Sequence, residues 1–276
     1  MAIVITGAQQ RATWDLTAGS TPKAPGLITG GGDMTEDPRS VESGIANQGS
    51  FFAGAVAPRA RLQGRATSDT KALLLHALRG AGSLTELKVI IGTTAVNFAI
   101  ANALINSMKL SGQAGQPLEF DLDFLGLSDV ETAAGISPVA LGSELLPWSG
   151  STITVGGAAY ETESWEAGIE NGCEHHWDLD SKSAGLKRLP SVISTGIEAV
   201  SLSLSTRKQI AWTLAADAPV VNIAAVILYT DGVNSLTLTF ANLSFAGNRG
   251  LPLQAGSGKS LWQYNLIGKP GSLVIT

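Results

Sequence analysis

Leu118-Glu119-Phe120-Asp121-Leu122-Asp123-Phe124-Leu125 is the stretch that decides the fold class, because apolar and acidic side chains alternate along it without a break. A period of two places alternate side chains on opposite faces of a strand. The stretch is therefore predicted to be a half-buried strand. Its polar face carries Glu119, Asp121 and Asp123.

The same periodicity extends outward from this strand in both directions. Further strands are predicted at residues 1–6, 86–91, 96–110, 152–155, 160–169, 197–204, 220–229, 235–245, 261–267 and 272–275. Two helices are predicted: one follows Ser68-Asp69 and stops at Gly80, and the other covers residues 206–216. The chain is therefore expected to be mainly β, with a helix in each half.

Turn-forming residues interrupt these elements in two places. Glycine and proline recur before residue 50, including Gly30-Gly31-Gly32, so residues 15–50 are predicted to form a long irregular arm. Loops of that length are usually functional or disordered, so the arm is expected to be either mobile or ordered by a partner. Residues 137–150 contain two prolines and two glycines and are predicted to be a linker.

Three pairs of segments suggest an internal repeat. The residues before the first predicted helix resemble those before the second, Asn106-Ser107 resembles Asn234-Ser235, and Phe120-Asp121-Leu122 resembles Trp262-Gln263-Tyr264. The pairs occur in the same order along the chain. Two β-rich modules are therefore predicted, at residues 1–136 and 151–276, each with one helix.

The composition excludes several classes of protein. The 276 residues carry a net charge of −5, which disfavours a protein that grips nucleic-acid phosphates. Cys173 is the only cysteine, so neither an intramolecular disulfide nor a multi-thiolate metal site can form. No apolar stretch approaches the length that spans a bilayer, and residues 1–6 lack the features of a signal peptide. The sequence predicts a soluble protein made in a cytoplasm.

Four motifs are candidates for chemistry, and each has a simpler structural explanation. Thr6-Gly7-Ala8 lacks the later glycines of a dinucleotide site, and Gly256-Ser257-Gly258-Lys259-Ser260 lacks the first glycine of a P-loop. A metal site is conceivable at Cys173, His175, His176, Asp178 and Asp180, although a polar surface segment explains them better. Cys173, Ser164 and Ser191 have no nucleophile-elbow pattern around them. No enzyme activity, cofactor or metal is predicted.

The acidic row Glu119, Asp121 and Asp123 has three further interpretations. It could bind calcium, act as paired carboxylates in acid–base chemistry, or form the solvated face of a strand. A fourth interpretation depends on the resemblance described next.

Two segments carry a resemblance to the tail tube proteins of bacteriophages. Residues 102–126, which hold Asn106-Ser107-Met108-Lys109-Leu110 and then the alternating strand, resemble the hairpin of that family. Residues 161–172 and 189–204 are similar to a second segment of the family, where a strand ending in Asn-Gly precedes a strand rich in serine and leucine.

The resemblance implies β-sandwich or barrel-like modules in rings whose inner sheets join into a continuous β-barrel. Rings of six modules stack into the tube that delivers the genome, so three two-module chains, or six one-module chains, would complete a ring. It implies a protein of the virion tail that binds other copies of itself and the tape measure, tail terminator and distal tail or baseplate proteins. Double-stranded DNA would pass through the tube without specific binding, and no membrane would be involved. Glu119, Asp121 and Asp123 would then line the lumen and repel DNA. Deleting residues 15–50 is expected to leave a folded monomer that cannot grow tubes.

Two other functions stay open. One is another β-rich phage structural protein, a capsid decoration or baseplate component, which would need a lattice to bind to. The other is a carbohydrate-binding sandwich with stacking surfaces supplied by Trp148, Trp165, Trp177, Trp212 and Trp262. Most of these tryptophans occur in strand or helix patterns, so core packing is the expected role.

Overall fold

The structure is a computed structural model. It describes residues 10–15, 26–36, 39–42, 49–52, 55–67, 70–78, 84–91, 96–132, 146–178, 188–208, 210, 222–246 and 261–276.

The first half of the chain forms nine described strands and one short helix. The strands are β1 (Gln10–Asp15), β2 (Gly26–Glu36), β3 (Arg39–Glu42), β4 (Gly49–Phe52), β5 (Val56–Arg65), β6 (Leu84–Ile91), β7 (Val96–Gln113), β8 (Glu119–Leu125) and β9 (Ser128–Thr132). Helix α1 (Thr70–Leu74) lies between β5 and β6 and continues into a 3-10 turn, Leu75–Ala77.

The second half begins with a 3-10 turn, Trp148–Gly150, and continues as strands. They are β10 (Thr152–Val155), β11 (Ala158–Ala159), β12 (Thr162–Glu170), β13 (Glu174–His176), β14 (Val192–Ser194), β15 (Ala199–Thr206), β16 (Ile223–Thr230), β17 (Ser235–Phe245), β18 (Trp262–Gly268) and β19 (Leu273–Ile275). The prediction of a mainly β protein is confirmed.

Fifteen of these strands belong to one antiparallel sheet that does not close on itself. Its main path runs β11-β10-β16-β17-β18-β15-β12-β7-β8-β5-β2, with β1, β6, β9 and β19 attached to the side. Apolar residues from both ends of the path share one hydrophobic core. Trp165 of β12, in the middle of the path, and Tyr229 of β16, near one end, meet there with their ring centroids 5.9 Å apart, so that end packs against the middle of the sheet.

The pairing order of the first half recurs in the second. β1 pairs with β6, β6 with β7, β7 with β9 and β8, β8 with β5, and β5 with β2. In the same way β10 pairs with β16, β16 with β17, β17 with β19 and β18, β18 with β15, and β15 with β12. Seven strands of one half therefore have a counterpart in the other, with β2 matching β12 and β7 matching β17.

Local irregularities recur at matching positions as well. β2 shifts register against β5 between Leu27 and Thr29, and β12 shifts register against β15 between Thr162 and Ser164. β7 and β17 each contain one asparagine with positive φ, Asn102 at 49° and Asn242 at 56°. Both asparagines stand where the strand leaves one set of partners for another. The register thus matches Asn102 with Asn242, and the sequence match between Asn106 and Asn234 is wrong.

The two halves meet edge to edge through β7 and β12. Seven residue pairs form this joint, from Gln113 opposite Ser164 to Ser107 opposite Glu170. Beyond the last pair, the backbone N–H of Asn171 donates to the carbonyl of Asn106 at 2.8 Å. One continuous sheet therefore crosses from the first half of the chain into the second.

Most of the predicted strands are confirmed, and 152–155 and 235–245 have the predicted bounds. The first helix is confirmed but shorter, because its α-helical part ends at Leu74. The second helix does not begin at residue 206, since Thr206 belongs to β15, and residues 211–216 lie outside the described residues. The predicted strand at 1–6 and residues 137–145 of the predicted linker also lie outside them.

The irregular arm predicted at residues 15–50 is wrong where the structure describes it, because residues 26–36, 39–42 and 49–50 form strands. Residues 16–25, 37–38 and 43–48 of the arm lie outside the described residues. β2 runs through Gly30-Gly31-Gly32 and pairs with β5 over its length, and β3 and β4 pair with each other. Glycine has weak strand propensity, but the backbone ladder to β5 holds these residues extended all the same. The sequence pattern did not predict β5 either, so it gave no sign of the strand with which β2 pairs.

Candidate functional site

Six neighbouring strands, β5, β8, β7, β12, β15 and β18, build a sheet region with one apolar and one polar face. On β8, Phe120, Leu122 and Phe124 are buried, whereas Glu119, Asp121 and Asp123 keep partial exposure on the opposite side. The predicted half-buried strand is therefore confirmed. We call the side that carries the three carboxylates the polar face.

Asp121 is held by two partners from β5. Arg61 donates to both of its carboxylate oxygens, with 2.8 Å from Nε to Oδ1, and Gln63 Nε2 donates to Oδ2 at 2.8 Å. The hydrogen bond from Arg61 is the largest cause that lowers the pKa of Asp121 below its ordinary 3.8, against the opposing effect of burial. Asp121 is therefore an ion-paired carboxylate.

The other two carboxylates face cations and amides as well. Asp123 accepts a hydrogen bond from Asn106 Nδ2 at 3.1 Å and lies opposite Arg61 in the β5–β8 register. Glu119 lies opposite Arg65. The acidic row predicted from the sequence is thus one strand of a mixed-charge region.

Sequence reasoning missed the arginines of this region. Along β5, Ala60 and Leu62 are buried, and Arg59, Arg61 and Arg65 alternate with them. The alternation was present in the sequence, but small residues and Pro58 obscured its apolar half.

Beyond β7 the polar face carries hydroxyls and amides in place of arginines. Ser201, Ser203 and Ser205 of β15 lie beside Gln263 and Asn265 of β18. Lys109 of β7 reaches across the joint to Glu166 of β12 at 3.2 Å, and both side chains are more than half exposed. Such a pair adds little stability.

A groove opens at this end of the polar face. Residues of β7, β8, β12, β15 and β18 and of the β7–β8 turn line a groove of about 600 Å³, which includes Glu119, Glu166 and Asn265. The groove therefore adjoins the polar face at the ends of these strands, while the apolar side of the sheet packs against the core.

The opposite side of the joint is tightly packed. Trp165 Nε1 donates to the hydroxyl of Tyr229 at 3.1 Å, and burial raises the pKa of that hydroxyl. A Cβ added at Gly112 would overlap both of these side chains. Gly112 is thus required where β7 passes beneath the aromatic pair.

The candidate metal ligands do not converge. His175 Nε2 bonds the carbonyl oxygen of Gly126 at 2.9 Å, and His176 Nε2 bonds Ser194 Oγ at 2.6 Å. Burial is the first cause that raises the pKa of the Cys173 thiol and lowers that of His175. Within the described ranges, which leave out Asp180, no three histidine, cysteine, aspartate or glutamate side chains form a group that could hold a metal.

The remaining motifs have mixed outcomes. Trp165 is buried, as core packing requires, whereas Trp148 and Trp177 are exposed; Trp212 lies outside the described residues. Residues 6–8 and 256–260, which form the two nucleotide-like motifs, also lie outside the described residues. The chain after residue 260 forms strand β18.

The described part of the chain contains no helix long and apolar enough to cross a membrane. The chain matches no protein-family model and no curated protein.

Proposed function

We propose that this chain is a structural subunit that assembles with copies of itself into stacked rings, as a tail tube protein of a bacteriophage does. The observation that carries the proposal is the repeated pairing order together with the β7–β12 joint. Two halves with the same pairing order, joined edge to edge in one sheet, support a wall made by repeating that joint between chains.

Ring closure requires a contact between two different surfaces of the repeating unit. A head-to-tail contact of that kind closes into a ring when its rotation allows, and otherwise continues as a filament. The β7–β12 joint is head-to-tail, because β7 and β12 occupy different places in the two matching pairing orders. With two tandem modules per chain, three chains supply the six modules of a tail tube ring.

The polar face is the proposed channel wall. It presents hydroxyls, amides and paired charges, and the apolar side is covered by the core. Glu119, Asp121 and Asp123 then reach the lumen. Because Arg61 is bound by Asp121, it is less available to DNA phosphates, and DNA passes without sticking.

The proposed location is the virion tail. Tape measure, tail terminator and distal tail or baseplate proteins are its proposed partners beside itself. The proposal assigns the chain no catalysis and no cofactor.

Electron microscopy of the purified chain, concentrated alone, tests this function. We expect hollow tubes or rings whose end views show sixfold features built by three chains. A persistent monomer at every concentration would contradict self-assembly. Particles that form only on a capsid lattice would favour a decoration protein, and specific glycan binding would favour a carbohydrate-binding domain.

A further inference from the structure

β2 has one paired and one unpaired edge among the described strands. It pairs with β5 and ends the main path of the sheet. β2 is 11 residues long and contains neither lysine nor proline, two of the residues that commonly protect an exposed edge. From Thr29 to Glu36 it runs without a bulge against β5. An unpaired edge of this length can form backbone hydrogen bonds with a strand of another chain.

Among the described strands, β17 also has an unpaired edge at its C-terminal end. Its last residues, Ser244 and Phe245, pair with β18 on one side, and no described strand pairs with them on the other. Their counterparts in the first half are Leu104 and Ile105 beside β8, and two residues further along β7, from Ser107 onward, the free side is taken by β12. The counterparts of residues 107–113 are residues 247–253, which lie outside the described residues, so the described part of this place ends at Ala246. The counterpart of β12 is β2.

The register of the β7–β12 joint within one chain predicts the register of an equivalent joint between two chains. Phe124 of β8 and Leu266 of β18 occupy equivalent positions in the two halves. Phe124 pairs with Ile105 and Leu266 pairs with Phe245, so Ile105 and Phe245 are counterparts. Asn106 then corresponds to Ala246. Ala167 and Gly32 correspond through their own β15 and β5 partners, so Asn171 corresponds to Glu36.

We infer that the outer edge of β2 pairs antiparallel with the end of β17 in a second copy of this chain, with Glu36 opposite Ala246. This contact repeats between chains the bond that Asn171 N–H makes to the Asn106 carbonyl within one chain. The inference rests on the proposed self-assembly and specifies its surface. Main-chain hydrogen bonds supply the affinity, as in other strand additions.

Disulfide cross-linking tests this register. Directly opposite residues in an antiparallel pair have Cα atoms about 4.5–5.5 Å apart, within the range of about 4.4–6.8 Å that disulfides span. E36C and A246C are made as single variants, assembled under reducing conditions and then oxidised. We expect covalent dimers only in the mixture of the two, and a ladder up to ring size from the double variant.

Three controls match this design. Wild type controls for Cys173, which is buried. E36C mixed with V233C controls for random collision, since Val233 is 92% exposed at the β16–β17 turn. Gln113→Cys with Ser164→Cys joins opposite residues of the internal joint and shows that this geometry permits a disulfide.

Hydrogen exchange on the wild-type chain adds a readout without substitutions. We expect amides at residues 30–36 to slow at least tenfold on assembly. Assemblies without the 36–246 link or this slowing would overturn the joint and leave self-assembly standing. A link without rings would support the joint and contradict the ring. A wild type that does not assemble, together with cysteine variants that do not link, would overturn both.

Discussion

At the scale of single residues, the polar face is organised by the Arg61–Asp121 pair. A carboxyl whose folded pKa is lowered stabilises the fold fully above its unfolded pKa, and this contribution is lost as the pH falls through the folded value. We expect a double-mutant cycle of R61Q and D121N to give a favourable coupling at pH 7 that shrinks below pH 4, measured by urea unfolding. Because Arg61 is exposed, the coupling is small. Equal coupling at pH 7 and pH 2 would contradict the charge-assisted bond.

The same pair gives a prediction for DNA. Asp121→Asn replaces the carboxylate that binds Arg61 with an uncharged amide of similar shape. We expect assembled D121N to retain double-stranded DNA more strongly than wild type at low salt, with the difference lost at high salt. Filter retention of a labelled duplex measures it, and D121N/R61Q serves as the control, which should return to the wild-type level.

At the scale of elements, Asn171 ties three segments together. Its buried amide Nδ2 donates to the carbonyl of Ala77, where the helical segment ends, and to that of Ile105 in β7, both at 2.9 Å. N171A leaves two carbonyls without this donor, at a cost of about 1–3 kcal/mol each. We expect about 2 kcal/mol or more of lost stability in urea unfolding. E170A, an exposed neighbour, should change stability by less than about 0.5 kcal/mol. Equal losses in the two variants would refute the role of Asn171.

The elements also show what could be predicted from the sequence. β8, β15 and β17 were predictable because large apolar residues alternate with polar ones along them. β2 was not, because its strand conformation is set by the ladder to β5 and its three glycines resemble a turn. The arginines of the polar face were missed with β5. The repeat was visible in fragments, but only the register shows that Asn242 matches Asn102.

At the scale of the whole molecule, β2 changes how assembly should be tested. Deleting residues 15–50 was expected to leave a folded monomer that cannot grow. That deletion would also remove β2 from the sheet, so it would disturb the fold and the assembly together. A test specific to assembly must keep β2 paired with β5 and block only its outer edge.

Met34→Pro meets this requirement. Asn171 N–H points outward to β7, and alternate residues of a strand point their N–H groups the same way, so the counterpart Glu36 and Met34 both donate outward. Proline lacks that donor and is tolerated on an edge strand. We expect M34P to keep the circular dichroism spectrum of the wild type and lose assembly by sedimentation, while M34A assembles. If M34P formed tubes as readily as M34A, the outer edge of β2 would not be the assembly surface.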